Sequence, residues 1–191
     1  MKKVFILIGH PDNDSLNWTL ADEYERGAKE SGAEVRKMSL EEMTFDVVLR
    51  HGYRTIQELE PDLKTFQENV RWCDHFVVIY PTWWSAMPAK LKGVFDRTWI
   101  PGFAFHMHKN GLGWDGLLKG KSASMIITMD SNAFLQRILF GDSTNELKRG
   151  MLGFAGFSPV RVHKFGNIKN ADTKKRFEIR NKVFKLGKSL K

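Results

Sequence analysis

The sequence contains a single cysteine, Cys73, so no intramolecular disulfide can form. It has no Cys-x-x-Cys pair, no Gly-x-Ser-x-Gly elbow and no Walker-type loop, so dithiol exchange, serine hydrolysis and P-loop chemistry lose their usual support. No apolar run approaches the length of a membrane span. Lys2 and Lys3 precede the apolar Val4 to Ile8, but that run is short and ends in His10-Pro11-Asp12 without a small-residue cleavage site. No signal peptide is expected, and a reducing cytoplasm is the expected location. Acidic residues are in the minority, 22 against 30 Lys and Arg, for a net charge of +8. Residues 174–191 hold eight Lys or Arg against Glu178 alone, so the rest of the chain is almost neutral. In that segment Ile179, Val183, Leu186 and Leu190 recur at helical spacing. This predicts an amphipathic helix on the core with its lysines solvated, and not a nucleic-acid surface.

What is present is an ordinary globular composition, 42% hydrophobic and 27% charged over 191 residues, enough for one domain spanning 1–191. Val4 to Ile8 is apolar on consecutive residues, as a strand covered on both faces must be. Leu16, Leu20, Tyr24 and Ala28 then fall at four-residue spacing, a helix stopped by Ser31-Gly32. "AEVRKM" (Ala33 to Met38) reads as a second strand, and the stretch from there to Glu60 shows no clear period. Pro61 opens a helix to Trp72, "HFVVIY" (His75 to Tyr80) is a third strand, and Pro88 sits where a first-turn proline belongs. Leu91, Val94, Phe95 and Trp99 form one helical face after it. "SASMIIT" (Ser122 to Thr128) is a fourth strand, Phe134 to about Leu152 is mostly helical, and "PVRVHKF" (Pro159 to Phe165) is a fifth strand before the basic helix. Five strands alternating with helices predict an α/β fold, a doubly wound five-stranded parallel sheet with helices on both faces. Ligands of such sheets sit beyond the carboxyl ends of the strands, which selects the loops after strands one, three and four.

Two motifs carry little. Gly111, Gly113 and Gly116 spell Gly-x-Gly-x-x-Gly, but they lead into a strand and not a helix, so a loop before strand four is expected. His106 and His108 lack further ligands at suitable spacing beyond Asp115, and no metal site is assigned. The loop "GHPDNDSLN" (Gly9 to Asn17) carries more. A helix N-terminus presents unpaired N–H groups and a partial positive charge, so this junction can hold a phosphate with help from His10, Ser15 and Asn17. Asp14 or Ser15 can equally act as a simple helix cap. If phosphate binds, Asp12 and Asp14 must turn away from it. In "YPTWWSAMPAKLKGVFDR" (Tyr80 to Arg97), two adjacent tryptophans end a buried strand. Alternating side chains cannot both enter the core, so at least one is expected at the strand's end, where a flat aromatic ligand could lie.

These blocks, with "PGFAF" (Pro101 to Phe105) and "TMDS" (Thr128 to Ser131), resemble the flavodoxin-like NAD(P)H:quinone oxidoreductase family over roughly residues 3–165. The resemblance implies a flavodoxin-like fold, a bound flavin and a homodimer with flavin sites at its interface. It implies two-electron, ping-pong reduction of a quinone-like acceptor by NADH or NADPH. His10, Ser15, Leu16 and Asn17 would hold the flavin phosphate. Pro81, Thr82, Trp83, Trp84 and Ser85 would support the ring, and Thr128, Met129, Asp130 and Ser131 its other edge. FMN is the expected cofactor, since one phosphate loop is visible and no second site for an AMP moiety; FAD is the alternative. The mammalian members have Thr-Gly-Gly where this chain has Met129-Asp130-Ser131, and their following Tyr and His find no match between Asn132 and Arg149, so no catalytic side chain is assigned.

Two other readings stay open from sequence. One is a flavodoxin-type electron carrier, disfavoured by a pI near 9.6 because such carriers are typically acidic for docking. The other is a flavin-binding regulatory subunit of a membrane transport system, in which the basic last helix would meet anionic lipid or an acidic partner.

Overall fold

Strand β1 (Lys3–Ile8) is apolar on consecutive residues because each of its faces meets a different helical layer. Phe5 and Leu7 join Phe76, Val78, Met125 and Ile127 beneath one layer; Val4, Ile6 and Ile8 join Val77, Ile79 and Ile126 beneath the other. The computed structural model describes residues 1–191. After β1 the chain runs through α1 (Leu16–Glu30), β2 (Glu34–Ser39), α2 (Pro61–Trp72), β3 (His75–Pro81), α3 (Ala89–Thr98), β4 (Phe105–Met107) and β5 (Trp114–Gly116). It continues through β6 (Ser122–Thr128), α4 (Ala133–Phe140), a π-helix (Glu146–Gly153), β7 (Val160–Phe165) and α5 (Thr173–Ser189). The main sheet is wholly parallel, in the order β2-β1-β3-β6-β7, so the five expected strands are all present and the fold is the doubly wound one. Strand order reverses between β1 and β3, which places a natural crevice above their carboxyl ends. No helix is long and apolar enough to cross a membrane.

Helices α1 and α5 pack backbone to backbone. A Cβ on Gly27 would overlap the Phe184 carbonyl, and one on Gly187 would overlap the Tyr24 carbonyl. Ile179 and Val183 are buried in this seam, while Arg180 hydrogen-bonds Glu23 through Nε at 2.9 Å and Nη2 at 2.7 Å. The basic face of α5 is therefore largely solvated, with one arginine used as a clamp.

The unperiodic stretch before α2 is held by side chains. The Arg97 side chain is fully buried, and its guanidinium donates to the carbonyls of Asp46 and Glu58 and to both oxygens of Glu60. Lys90 adds a bond to the Met43 carbonyl at 2.8 Å. These contacts fasten residues 43–60 to α3.

Phe134 to Leu152 is mostly helical, as expected, in two pieces, because Gly141 takes φ 79° and Asp142 accepts from the Thr144 N–H and hydroxyl, a turn that stops α4. Two local expectations need correction. Trp114 to Gly116 is not loop but β5, paired antiparallel with β4 around a turn containing Gly111 and Gly113, both at positive φ. Pro88 occupies the cap of α3, and the helix begins one residue later.

Candidate functional site

A cavity of about 230 Å³ opens above the carboxyl ends of β1, β3 and β6. Its walls are built by three loops that the backbone ties together. The Gly9 N–H donates to Ile79, and Thr82 N–H donates to the Thr128 carbonyl at 2.8 Å. Met129 N–H donates to Phe165, and Ile168 N–H reaches back to the Met129 carbonyl at 3.2 Å.

The first wall is the start of α1. Ser15 is its N-cap, accepting from the Trp18 N–H through Oγ, and its hydroxyl proton is left free to donate. The first N–H groups of a helix have no intrahelical acceptor, so Leu16 and Asn17 present donors there. Asn17 is buried, with Oδ1 accepting from the Thr128 hydroxyl at 2.8 Å and Nδ2 finding no partner at all. An orphaned buried amide donor costs about 1–3 kcal/mol, so its retention beside a cavity points to an acceptor that belongs there. His10 Nδ1 accepts from the Asp12 N–H at 3.0 Å, which puts the neutral ring's proton on Nε2, another free donor. Asp12 and Asp14 are exposed and absent from the walls, and Asp12 Oδ1 is turned to the Asp14 N–H at 2.9 Å. Cap and anion cradle thus coexist in one loop. These residues line a cavity that has no lysine or arginine, and the field of the helix start is its main positive element.

The second wall is the turn after β3. Trp83 and Ala86 exchange N–H···O bonds of 2.9 Å, closing a two-residue turn with Trp84 at φ 49° and Ser85 at φ 60°. Positive φ at both central residues defines a type I′ turn, normally made by Asn or Gly. Here it carries strain of about 1 kcal/mol or more per residue. Trp83 packs edge-on to His10, ring centroids 5.5 Å apart, while Trp84 is fully exposed. Neither tryptophan enters the core: the strand ends at Pro81, so the alternation expected from sequence no longer governs them.

Of the thirteen residues assigned from sequence, ten converge on the cavity: His10, Ser15, Leu16, Asn17, Pro81, Thr82, Trp83, Thr128, Met129 and Asp130. Trp84 and Ser85 lie on the outer side of the turn, where Ser85 Oγ accepts from Gln136 at 3.5 Å. Ser131 lies outside the lining, its carbonyl engaged by Asn167 N–H. Ile168 lines the cavity and was not foreseen; it is the one large apolar residue in the polar run after β7.

A crevice with these donors and this strand order defines a class, and comparison with known proteins agrees. The model of the flavodoxin-like fold family matches residues 2–185, and the chain belongs to the flavodoxin-like NAD(P)H:quinone oxidoreductase family. An uncharacterized NAD(P)H oxidoreductase of Haemophilus influenzae is 31% identical over 182 residues, covering 90% of this chain and 87% of its own. Human ribosyldihydronicotinamide dehydrogenase [quinone] is 31% identical over 181 residues, covering 82% and 78%. The crystal structure of Smu.1420 from Streptococcus mutans UA159 superposes with a TM-score of 0.86 at 28% identity, covering 98% of this chain and 99% of its own. The protein is an oxidoreductase enzyme of the NAD(P)H and quinone-reductase kind.

Proposed function

We propose that this enzyme is a flavoprotein that uses FMN to pass two electrons from NADH or NADPH to a quinone-like acceptor. The observation that carries the proposal is the buried Asn17 amide left without a partner at the start of α1. A phosphate oxygen is the acceptor it fits: Asn17 Nδ2, the Leu16 and Asn17 N–H groups, the Ser15 hydroxyl and His10 Nε2 are the donors that these lining residues would offer an anion, without a lysine. The single cradle suits the one phosphate of FMN better than the pyrophosphate of FAD. When bound, the flavin supplies the redox chemistry, accepting hydride from the nicotinamide and releasing it to the acceptor in ping-pong order. The chain's own part is positional. Pro81, Thr82 and Trp83 offer a flat wall held by the type I′ turn, against which the ring of the ligand can lie. No side chain is required as proton donor.

The homodimer implied by the resemblance is supported by α4. Phe134, Leu135, Ile138, Leu139 and Phe140 are all exposed and Gln136 is the buried residue, so the helix presents its apolar side outward. A second copy covering α4 and Trp84 would remove this surface from water. The test is titration of apoprotein with FMN and with FAD, followed by mass spectrometry of the cofactor released from cell-purified protein. Submicromolar uptake of FMN and its recovery support the proposal; a protein that takes up neither flavin overturns it.

A further inference from the structure

The chain carries a net charge of +8, yet no lysine or arginine lines the cavity and its one acidic lining residue, Asp130, has no cationic partner. Lys164 on the neighbouring strand is held by Asp142 at 2.9 Å, and the Asn132 side chain is committed to capping α4. The backbone is pinned on both sides of Asp130, by Met129 N–H to Phe165 and by Asn167 N–H to Ser131, so this exposed residue keeps its place in the lining of the cavity. In the same lining stands Trp83, about half exposed. The positive field of α1 serves the inner end and would be neutralised there by a phosphate. A second ligand entering from outside therefore meets aromatic surface and one uncompensated negative charge.

We infer that Asp130 is a specificity-determining residue that admits neutral or cationic flat aromatic acceptors and rejects anionic ones. The inference rests on the flavin site proposed above. Two like charges a few ångströms apart, partly screened at a cavity mouth, cost about a factor of ten, equivalent to ~1.4 kcal/mol. Added salt shrinks that factor.

The experiment uses flavin-loaded protein and the variants Asp130→Asn and Glu68→Gln, the latter an exposed carboxylate on α2 that lowers net acidity equally without lining the cavity. The ratio of kcat/KM for a sulfonated naphthoquinone to that for its neutral parent is measured for each. Independently of turnover, calorimetry gives the Kd ratio of naphthalene-2-sulfonate to naphthalene-2-sulfonamide on the oxidised protein. Expected is a rise of about tenfold in relative preference for the anion in Asp130→Asn, in both assays and smaller at high salt, with Glu68→Gln unchanged. An unchanged ratio in Asp130→Asn, or an equal rise in Glu68→Gln, overturns the inference while leaving the flavin proposal intact. Failure of the wild-type chain to take up flavin removes both, and is seen before any acceptor is added.

Discussion

Replacing Asn17 by alanine separates a structural role from a ligand-holding one, because the two predict opposite results in two assays. In the protein without cofactor, Asn17 Nδ2 is buried and unpaired, a penalty of about 1–3 kcal/mol that the substitution removes. Against this, alanine forfeits the 2.8 Å bond from the Thr128 hydroxyl, worth about 1 kcal/mol, and leaves a small void. The terms nearly cancel, so cofactor-free stability should stay within about 1 kcal/mol, or ~2–4 °C in Tm for a chain of this size. Flavin affinity should fall much further. A hydrogen bond to a charged phosphate contributes about 1.5–3 kcal/mol, so Kd should rise about 10- to 150-fold. Urea denaturation of the apoprotein and quenching of flavin fluorescence on binding give the two numbers. A large loss of apoprotein stability with unchanged flavin Kd would mean that Asn17 is a packing residue alone and holds no phosphate.

Arg97→Met should destabilise by about 3 kcal/mol, read as a lower urea midpoint, because it strands the Glu60 carboxylate and two carbonyls that the buried guanidinium satisfies; a loss below about 1 kcal/mol would contradict the clamp. Ser85→Gly should raise stability by about 1 kcal/mol by relieving a positive φ of 60°, and an unchanged or lower Tm would show that the turn is not strained. Stability should also fall on mild acidification. Burial, then the nearby Arg161, Lys2 and His163, lower the His75 pKa to about 4, while the unfolded residue titrates near ~6.5. The neutral folded ring therefore contributes fully above ~6.5, and that contribution is lost as pH falls toward about 4. The cost reaches about 2 kcal/mol at ~pH 5. Urea midpoints at the two pH values should show this slope, and His75→Gln should flatten it.

How far the molecule was legible from its sequence depended on whether a segment's surroundings were its own neighbours. Strands such as His75–Pro81, buried along their whole length, declare themselves because both faces demand apolar side chains. Helix α2 was legible through Pro61 and its apolar spacing. The three-residue strands β4 and β5 are too short for any period to register, and residues 43–60 owe their course to Arg97, a contact some forty residues distant. Helix α4 was expected, but its apolar residues would conventionally face inward, and here they face out. In the site, the three loops were legible because topology alone selects them. The partnerless Asn17 amide, the reversed backbone at Trp84 and Ser85, and the arrival of Ile168 were not, since each depends on how separate loops meet.

The crevice above β1, β3 and β6 is proposed to hold a flavin that exchanges electrons with a nicotinamide. The most direct test is the anaerobic half-reaction: flavin-loaded protein is mixed with NADH or NADPH under argon while the visible flavin band is followed, and a quinone is then added. A yellow protein that bleaches within the mixing experiment and regains its colour on addition of the quinone is expected. A protein that binds flavin and is reduced by dithionite but never by either nicotinamide would contradict it and leave an electron carrier in its place.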